Sequence, residues 1–190
     1  LGTDTGENLL DPGDTPNENL QFLLVLSCMI RAVDIHADLL RQSASCAGNE
    51  HRLGGQEAPP AIISIFLGDQ LDDVVNQIVS NADSIRLLAA HKLDSGVSTV
   101  PVLKKDAADR NRTSFTGNKF EFRMVGSSDS IADANITLNA IVAEAFCEAA
   151  DVLENAQDFH SACMKLIHDN MSEHQRVVFN GDGYSEEWVE

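Results

Sequence analysis

The sequence is poor in positive charge: 13 Lys and Arg stand against 30 Asp and Glu in 190 residues, a formal charge of −17. So acidic a surface repels phosphate backbones, which argues against nucleic acid or anionic membrane as a main partner. A long apolar run is also missing. The longest, Phe22 to Ile30, holds nine residues including a serine and a cysteine, far short of the roughly 20 that a membrane-spanning helix needs. No two of Cys28, Cys46, Cys147 and Cys163 form a C-x-x-C or a finger-like ligand set, so the four read as reduced thiols of a cytoplasmic protein. The six histidines contain no i, i+4 pair of the kind that holds zinc on a helix. Leu1 opens the chain without a methionine, a charged n-region or a signal-like apolar core, so the sequence reads as a piece of something longer.

What is present is enough for a core. Hydrophobic residues make up 43% of the chain, and a single domain of ordinary size is expected. Residues 1 to 20 are acidic and punctuated by Gly and Pro, which predicts an extended loop. Thr15-Pro16-Asn17-Glu18 fits a capping box, and the apolar spacing from Leu20 onward predicts one buried helix running to about Ser43. Strands are predicted over Ala61 to Leu67, Val97 to Leu103 and Lys119 to Val125, with Asp69 to Ala90 readable as helix or insertion. Ile131 to Ala156 and Phe159 to Glu173 read as amphipathic helices. Antiparallel-looking strands with long helices and no internal repeat point to an α+β fold.

Charge then locates a site. Six of the thirteen basic residues, Lys104, Lys105, Arg110, Arg112, Lys119 and Arg123, fall within twenty positions of an acidic protein, a concentration that implies an anionic ligand. The period of two along Lys119 to Met124 puts Phe120, Phe122 and Met124 on one strand face and Lys119, Glu121 and Arg123 on the other. Such a polar face is ordinarily a solvated one with cross-strand charge pairs. A carboxylate flanked by two cations also suits a place where Mg²⁺ and phosphate oxygens meet. A second constellation is Asn49-Glu50-His51-Arg52-Leu53-Gly54-Gly55-Gln56-Glu57-Ala58-Pro59-Pro60. Its paired glycines free the backbone and its prolines stiffen the far end, so Glu57 is expected on a hinge-bounded flap, where the bland reading is a solvated glutamate.

The segments AGNEHRLGGQEAPPAI (47 to 62), DRNRTS (109 to 114) and GNKFEFRMVGSS (117 to 128) together resemble the C-terminal part of the glutamine synthetase catalytic domain, most closely its type III class. Supporting matches are LGTDTGENLLDPGDTP (1 to 16), SIADANITLNAIVAEAF (130 to 146) and FNGDGYSEEWV (179 to 189). The resemblance implies a partial catalytic domain over 1–178, with antiparallel strands lining the active site, and the start of a C-terminal helical segment over 179–190. It implies ATP-dependent condensation of glutamate with ammonia through γ-glutamyl phosphate, with Mg²⁺ or Mn²⁺, in a homo-oligomer of stacked hexameric rings. Carried over residue by residue, Glu121 matches a metal ligand at the ATP phosphates, and Arg123 a contact to glutamate and the transferring phosphoryl group. Arg52 matches the arginine that holds glutamate, and Glu57 the carboxylate that shields the intermediate and takes a proton from ammonium. Arg112 and Lys119 match contacts to ATP phosphates and nucleotide.

Three departures accompany the resemblance. The family's histidine-bearing glycine-rich loop and most of its metal-binding glutamates belong ahead of the LGTDTG segment, outside this sequence. Ser114 is followed directly by Phe115, three residues short of the family pattern, which could displace Arg112 from Glu121. The five-residue spacing of Arg52 and Glu57 departs from the shorter bacterial class and agrees with type III. The isolated chain is therefore expected to lack activity. The rival reading is a non-catalytic remnant, or an acidic helical interaction module, retaining part of the fold. Asp4-Thr5-Gly6 and the Asn-x-Thr triplets at Asn111 and Asn135 carry little weight, and Gly181-Asp182-Gly183 reads as a turn before a helix capped by Ser185.

Overall fold

Helix α1 (Leu20–Ile35) is buried along most of its length, as its nearly all-round apolar surface predicts. In the computed structural model, which describes residues 1–50, 58–81 and 112–190, its cap is Asn19 and not Thr15. The Asn19 side-chain oxygen accepts the Phe22 N–H at 3.0 Å, while the Thr15 carbonyl closes a turn by accepting from Glu18 and Asn19. Asparagine caps at least as well as threonine, so the later start loses nothing. Nor does the helix continue unbroken to Ser43. It leaves helical geometry at His36 (φ −111°, ψ 26°) and resumes as α2 (Ala37–Ser43). No proline or glycine marks this break. Its setting is tertiary: His36 Nε2 lies 2.8 Å from a carboxylate oxygen of Glu144, and the resumed helix buries Leu40 while Leu39 stays exposed.

After the single turn α3 (Ala47–Glu50) come β1 (Ile65–Phe66) and α4 (Asp69–Val79). In α4, Leu71, Val74, Val75 and Ile78 are all buried, an i, i+3, i+4, i+7 stripe that makes this part of 69–90 a helix. Strands β2 (Thr113–Phe115) and β3 (Phe120–Phe122) complete a sheet of order β1-β2-β3 among the described residues. Helices with a small sheet bear out the α+β expectation; within the sheet β2 and β3 are antiparallel, while β1 runs parallel to β2. Its strands are also shorter than the apolar runs that predicted them, and the Val97 to Leu103 strand lies outside the described residues. Helices α5 (Ala132–Glu154), α6 (Phe159–His174) and the short α7 (Glu186–Val189) follow. Ser185 precedes α7 but makes no cap bond; its hydroxyl donates to the Asp182 carbonyl at 2.6 Å.

The core lies between α1 and its neighbours α5 and α6 on one side and the sheet on the other. Phe115 joins the two, its ring 5.9 Å from Phe22 of α1 and 5.3 Å from Phe120 of β3. His174 of α6, expected as an ordinary surface or packing residue, is buried in a polar network: its Nδ1 lies 2.8 Å from Asp34 and its Nε2 3.0 Å from Arg31. No described helix is long and apolar enough to cross a membrane.

Candidate functional site

The β2–β3 hairpin decides which side chains share a face. Its register places Phe122 opposite Thr113, Glu121 opposite Ser114, and Phe120 opposite Phe115. Beyond the strands, the Thr116 N–H donates to the Lys119 carbonyl at 2.9 Å and the Arg123 N–H to the Arg112 carbonyl at 3.1 Å. The connection is thus a two-residue turn of Gly117 and Asn118, with Gly117 at φ 102°, the left-handed value that a turn of this kind asks of its first residue. Directly opposed residues point to the same side of a sheet. One face therefore carries Phe120, Phe122 and Phe115 toward α1, and the other carries Lys119, Glu121, Arg123, Ser114 and Arg112.

On that polar face three of the predicted residues meet. The Glu121 Oε2 accepts from Arg123 Nε at 3.1 Å and from Nη2 at 3.0 Å. Its Oε1 lies 3.1 Å from Lys119 Nζ and 3.4 Å from the Thr116 hydroxyl. Both of these pairs run along one strand, at i±2. Lys119 first, then Arg123, hold the Glu121 carboxyl below the ordinary glutamate range through hydrogen bonds to its charged form. The carboxylate is about a third exposed, so it remains reachable by a ligand.

Arg112 is opposite Arg123 in the backbone, yet its guanidinium goes elsewhere. It lies 4.6 Å above the Phe66 ring of β1, and its Nη1 donates to the Gly181 carbonyl at 2.8 Å. The side chain is almost fully buried. Across the short connection after Ser114, Arg112 pairs through its backbone with the strand that holds Glu121 and Arg123, while its head group ties the sheet to the segment after α6.

Arg52 and Glu57 lie outside the described residues, but both ends of their segment are placed. Buried Asn49 donates from its side-chain amide to the Met124 carbonyl at 2.8 Å, one residue beyond Arg123. On the far side, the Tyr184 hydroxyl donates to the Ala58 carbonyl at 2.7 Å, and Trp188 Nε1 to the Ile62 carbonyl at 3.3 Å. These contacts were not legible in the sequence, since a tyrosine and a tryptophan near a chain end carry no periodic signal.

A metal can be tested against this donor set. Among the described residues no group of three or more His, Cys, Asp and Glu side chains is positioned to hold an ion. Glu121 nevertheless fits one oxygen ligand of a Mg²⁺ that shares phosphates, because Mg²⁺ in such sites commonly uses one or two carboxylates plus phosphate and water. The adjoining Lys119 and Arg123 supply the cations that phosphate oxygens need.

Comparison with known proteins covers the chain from end to end. A family model described as the glutamine synthetase C-terminal domain matches residues 162–190. The type-3 glutamine synthetase of Dictyostelium discoideum is 54% identical, covering 100% of this chain and 26% of that protein. Glutamine synthetases of Bacteroides fragilis (strain YCH46) and Butyrivibrio fibrisolvens are 42% and 41% identical, each covering 99% of the chain and 27% of the relative. The chain therefore spans about a quarter of the length of the curated relatives it matches.

Proposed function

We propose, for a chain that belongs to the glutamine synthetase family, that the polar face of β3 forms the metal and phosphate corner of a glutamate–ammonia ligase site in a longer protein. The observation that carries this reading is the Glu121 carboxylate gripped between Lys119 and Arg123 on an accessible face. In the reaction, a γ-carboxylate oxygen of glutamate attacks the terminal phosphorus of ATP; the bond to the bridging oxygen breaks, and ADP leaves. The ammonia nitrogen then attacks the carbonyl carbon of γ-glutamyl phosphate, forming C–N, expelling phosphate and leaving a proton to be removed.

Mg²⁺ or Mn²⁺, when bound, would neutralise phosphate charge and draw electrons from the phosphorus. Glu121 would ligate it. Arg123 has the planar fork suited to the glutamate carboxylate and the transferring phosphoryl oxygens. Lys119 adds a mobile point charge for ATP phosphates, whereas the buried Arg112 guanidinium, turned to Phe66 and the Gly181 carbonyl, braces the sheet behind that corner and is not assigned to the phosphates. Arg52 is assigned to glutamate, and Glu57 to excluding water and accepting the ammonium proton. The homo-oligomer of stacked rings belongs to the same proposal.

The test is Glu57→Ala in a full-length protein carrying this segment, assayed with glutamate, ammonium, ATP and Mg²⁺. Turnover should fall by roughly 10² to 10⁴-fold, the usual worth of a general base, with ATP affinity changed far less. Glutamine formation at the unaltered rate would overturn the reading.

A further inference from the structure

Arg123 stands one residue past β3, at the end of its strand ladder. Its N–H donates to the Arg112 carbonyl at 3.1 Å. The Met124 carbonyl, next along the chain, is held by a side chain from another part of the fold: Asn49 of α3 donates to it at 2.8 Å. A carboxamide nitrogen carries two N–H donors, and that of Asn49 serves two carbonyls, Met124 and Ala44. The Asn49 side chain is fully buried, so both bonds form away from water, where leaving one unmade is costly. Met124 is also fully buried, with its side chain in the core. The backbone just past Arg123 is thereby held twice, by the core through the Met124 side chain and by α3 through the Met124 carbonyl.

Further contacts stiffen the same junction. Cys46 Sγ donates to Asp129 Oδ2 at 3.1 Å, and the Asp129 N–H closes a turn onto the Gly126 carbonyl at 3.1 Å. Gly126 packs so closely that a Cβ on it would stand 2.6 Å from Asp129 Oδ2 and 3.1 Å from Asn49 Oδ1. The connection from β3 toward α5 is thus seated on residues 44–49, at the end of the strand where Arg123 stands. The other end is held separately. At the hairpin turn beside Lys119, the Asn8 side-chain amide donates to the Asn118 carbonyl at 2.8 Å.

We propose that Asn49 is a positioning residue for the ligase reaction: by fixing the Met124 carbonyl it sets where the Arg123 guanidinium meets the glutamate carboxylate and the transferring phosphoryl group. The inference rests on the function proposed above. Asn49 is buried and bonded to backbone carbonyls, so it acts through Arg123 and does not touch substrate. Lys119, at the opposite end of the strand, keeps its own support.

The experiment is made in a full-length protein carrying this segment, measuring kcat/KM for glutamate, KM for ATP and the melting temperature. Asn49→Ser keeps a hydroxyl donor but has one proton and a shorter reach, so it cannot serve both carbonyls. It should lower kcat/KM for glutamate on the order of tenfold, within the losses that misplacing a substrate-holding group produces, with the ATP KM within about twofold. Arg123→Lys should lower the same glutamate reading. Adding Asn49→Ser to Arg123→Lys should lower it little further, because both changes act through one guanidinium. Asn8→Ala, which frees the opposite end of the same hairpin, should leave kcat/KM for glutamate within about twofold.

If Arg123→Lys impairs the use of glutamate while Asn49→Ser leaves it unchanged, the positioning role is wrong and the parent reading stands. Additive losses in the double variant, an equal loss from Asn8→Ala, or falls in both substrates' readings that track the melting temperature would also overturn it, in favour of a purely structural role. Should Asn49→Ser fail to fold, Gly126→Ala, which crowds Asn49 Oδ1 and keeps its donors, decides by the same readings with a smaller loss expected. If Arg123→Lys itself has no effect, the assignment of Arg123 falls, and the role of Asn49 with it.

Discussion

At the scale of single residues, Glu121 gathers the most chemistry on the described surface. Its folded pKa is depressed by Lys119 and Arg123, so the stability it contributes is present above the unfolded value of about 4.3. That contribution is lost as pH falls through the folded value. Removing a cation should raise that folded value. In Lys119→Ala the Glu121 carboxyl should titrate at higher pH than in the unaltered chain, as followed by carboxyl ¹³C NMR; an unchanged titration would mean that the 3.1 Å ion pair is absent in solution. The alternation of Lys119, Glu121 and Arg123 with Phe120, Phe122 and Met124 was readable from sequence, because a period of two needs no tertiary information. The destination of Arg112 was not, since its partners, Phe66 and the Gly181 carbonyl, lie 46 and 69 residues away in the chain.

Among elements, the segment from Phe179 to Trp188 acts as a brace. The Phe179 N–H donates to the Ile65 carbonyl at 2.9 Å, and the Asn180 side-chain oxygen accepts from Leu67 and Gly68 at the start of α4. Phe179 stacks on Trp188 with ring centres 4.7 Å apart. Gly181 is required here by space: a Cβ on it would fall 2.5 Å from Phe179 Cζ. Gly181→Ala should therefore cost about 1–3 kcal/mol, the usual price of overpacking, and weaken the Arg112 anchor. Urea unfolding of the chain checks this, with a midpoint equal to that of the unaltered chain as the contrary result. The helices were legible because 3.6-residue periodicity is local, whereas the break at His36, whose ring lies 2.8 Å from Glu144 of α5, left no mark in the sequence around it. Likewise, a parallel pairing of β1 with β2 cannot be read from two apolar runs, because strand direction is set by the path of the chain between them.

For the molecule as a whole, several motifs in order carried the resemblance to the family, and 54% identity across the full chain agrees with it. The polar face of β3 was legible because Lys119, Glu121 and Arg123 are close in sequence. Glu50, Pro59 and Arg41 come together through an α2 side chain that no local pattern singles out. The central claim is that the Glu121 face meets metal and phosphate while the Phe122 face packs. Its most direct test is a Mg²⁺ titration of ligase activity in a full-length protein carrying this segment, comparing Glu121→Gln with Phe122→Leu. Glu121→Gln should raise the Mg²⁺ concentration for half-maximal activity, since it removes a charged oxygen ligand at nearly constant shape, while Phe122→Leu should lower the melting temperature and leave the Mg²⁺ requirement alone. A shifted Mg²⁺ requirement in Phe122→Leu with none in Glu121→Gln would contradict it.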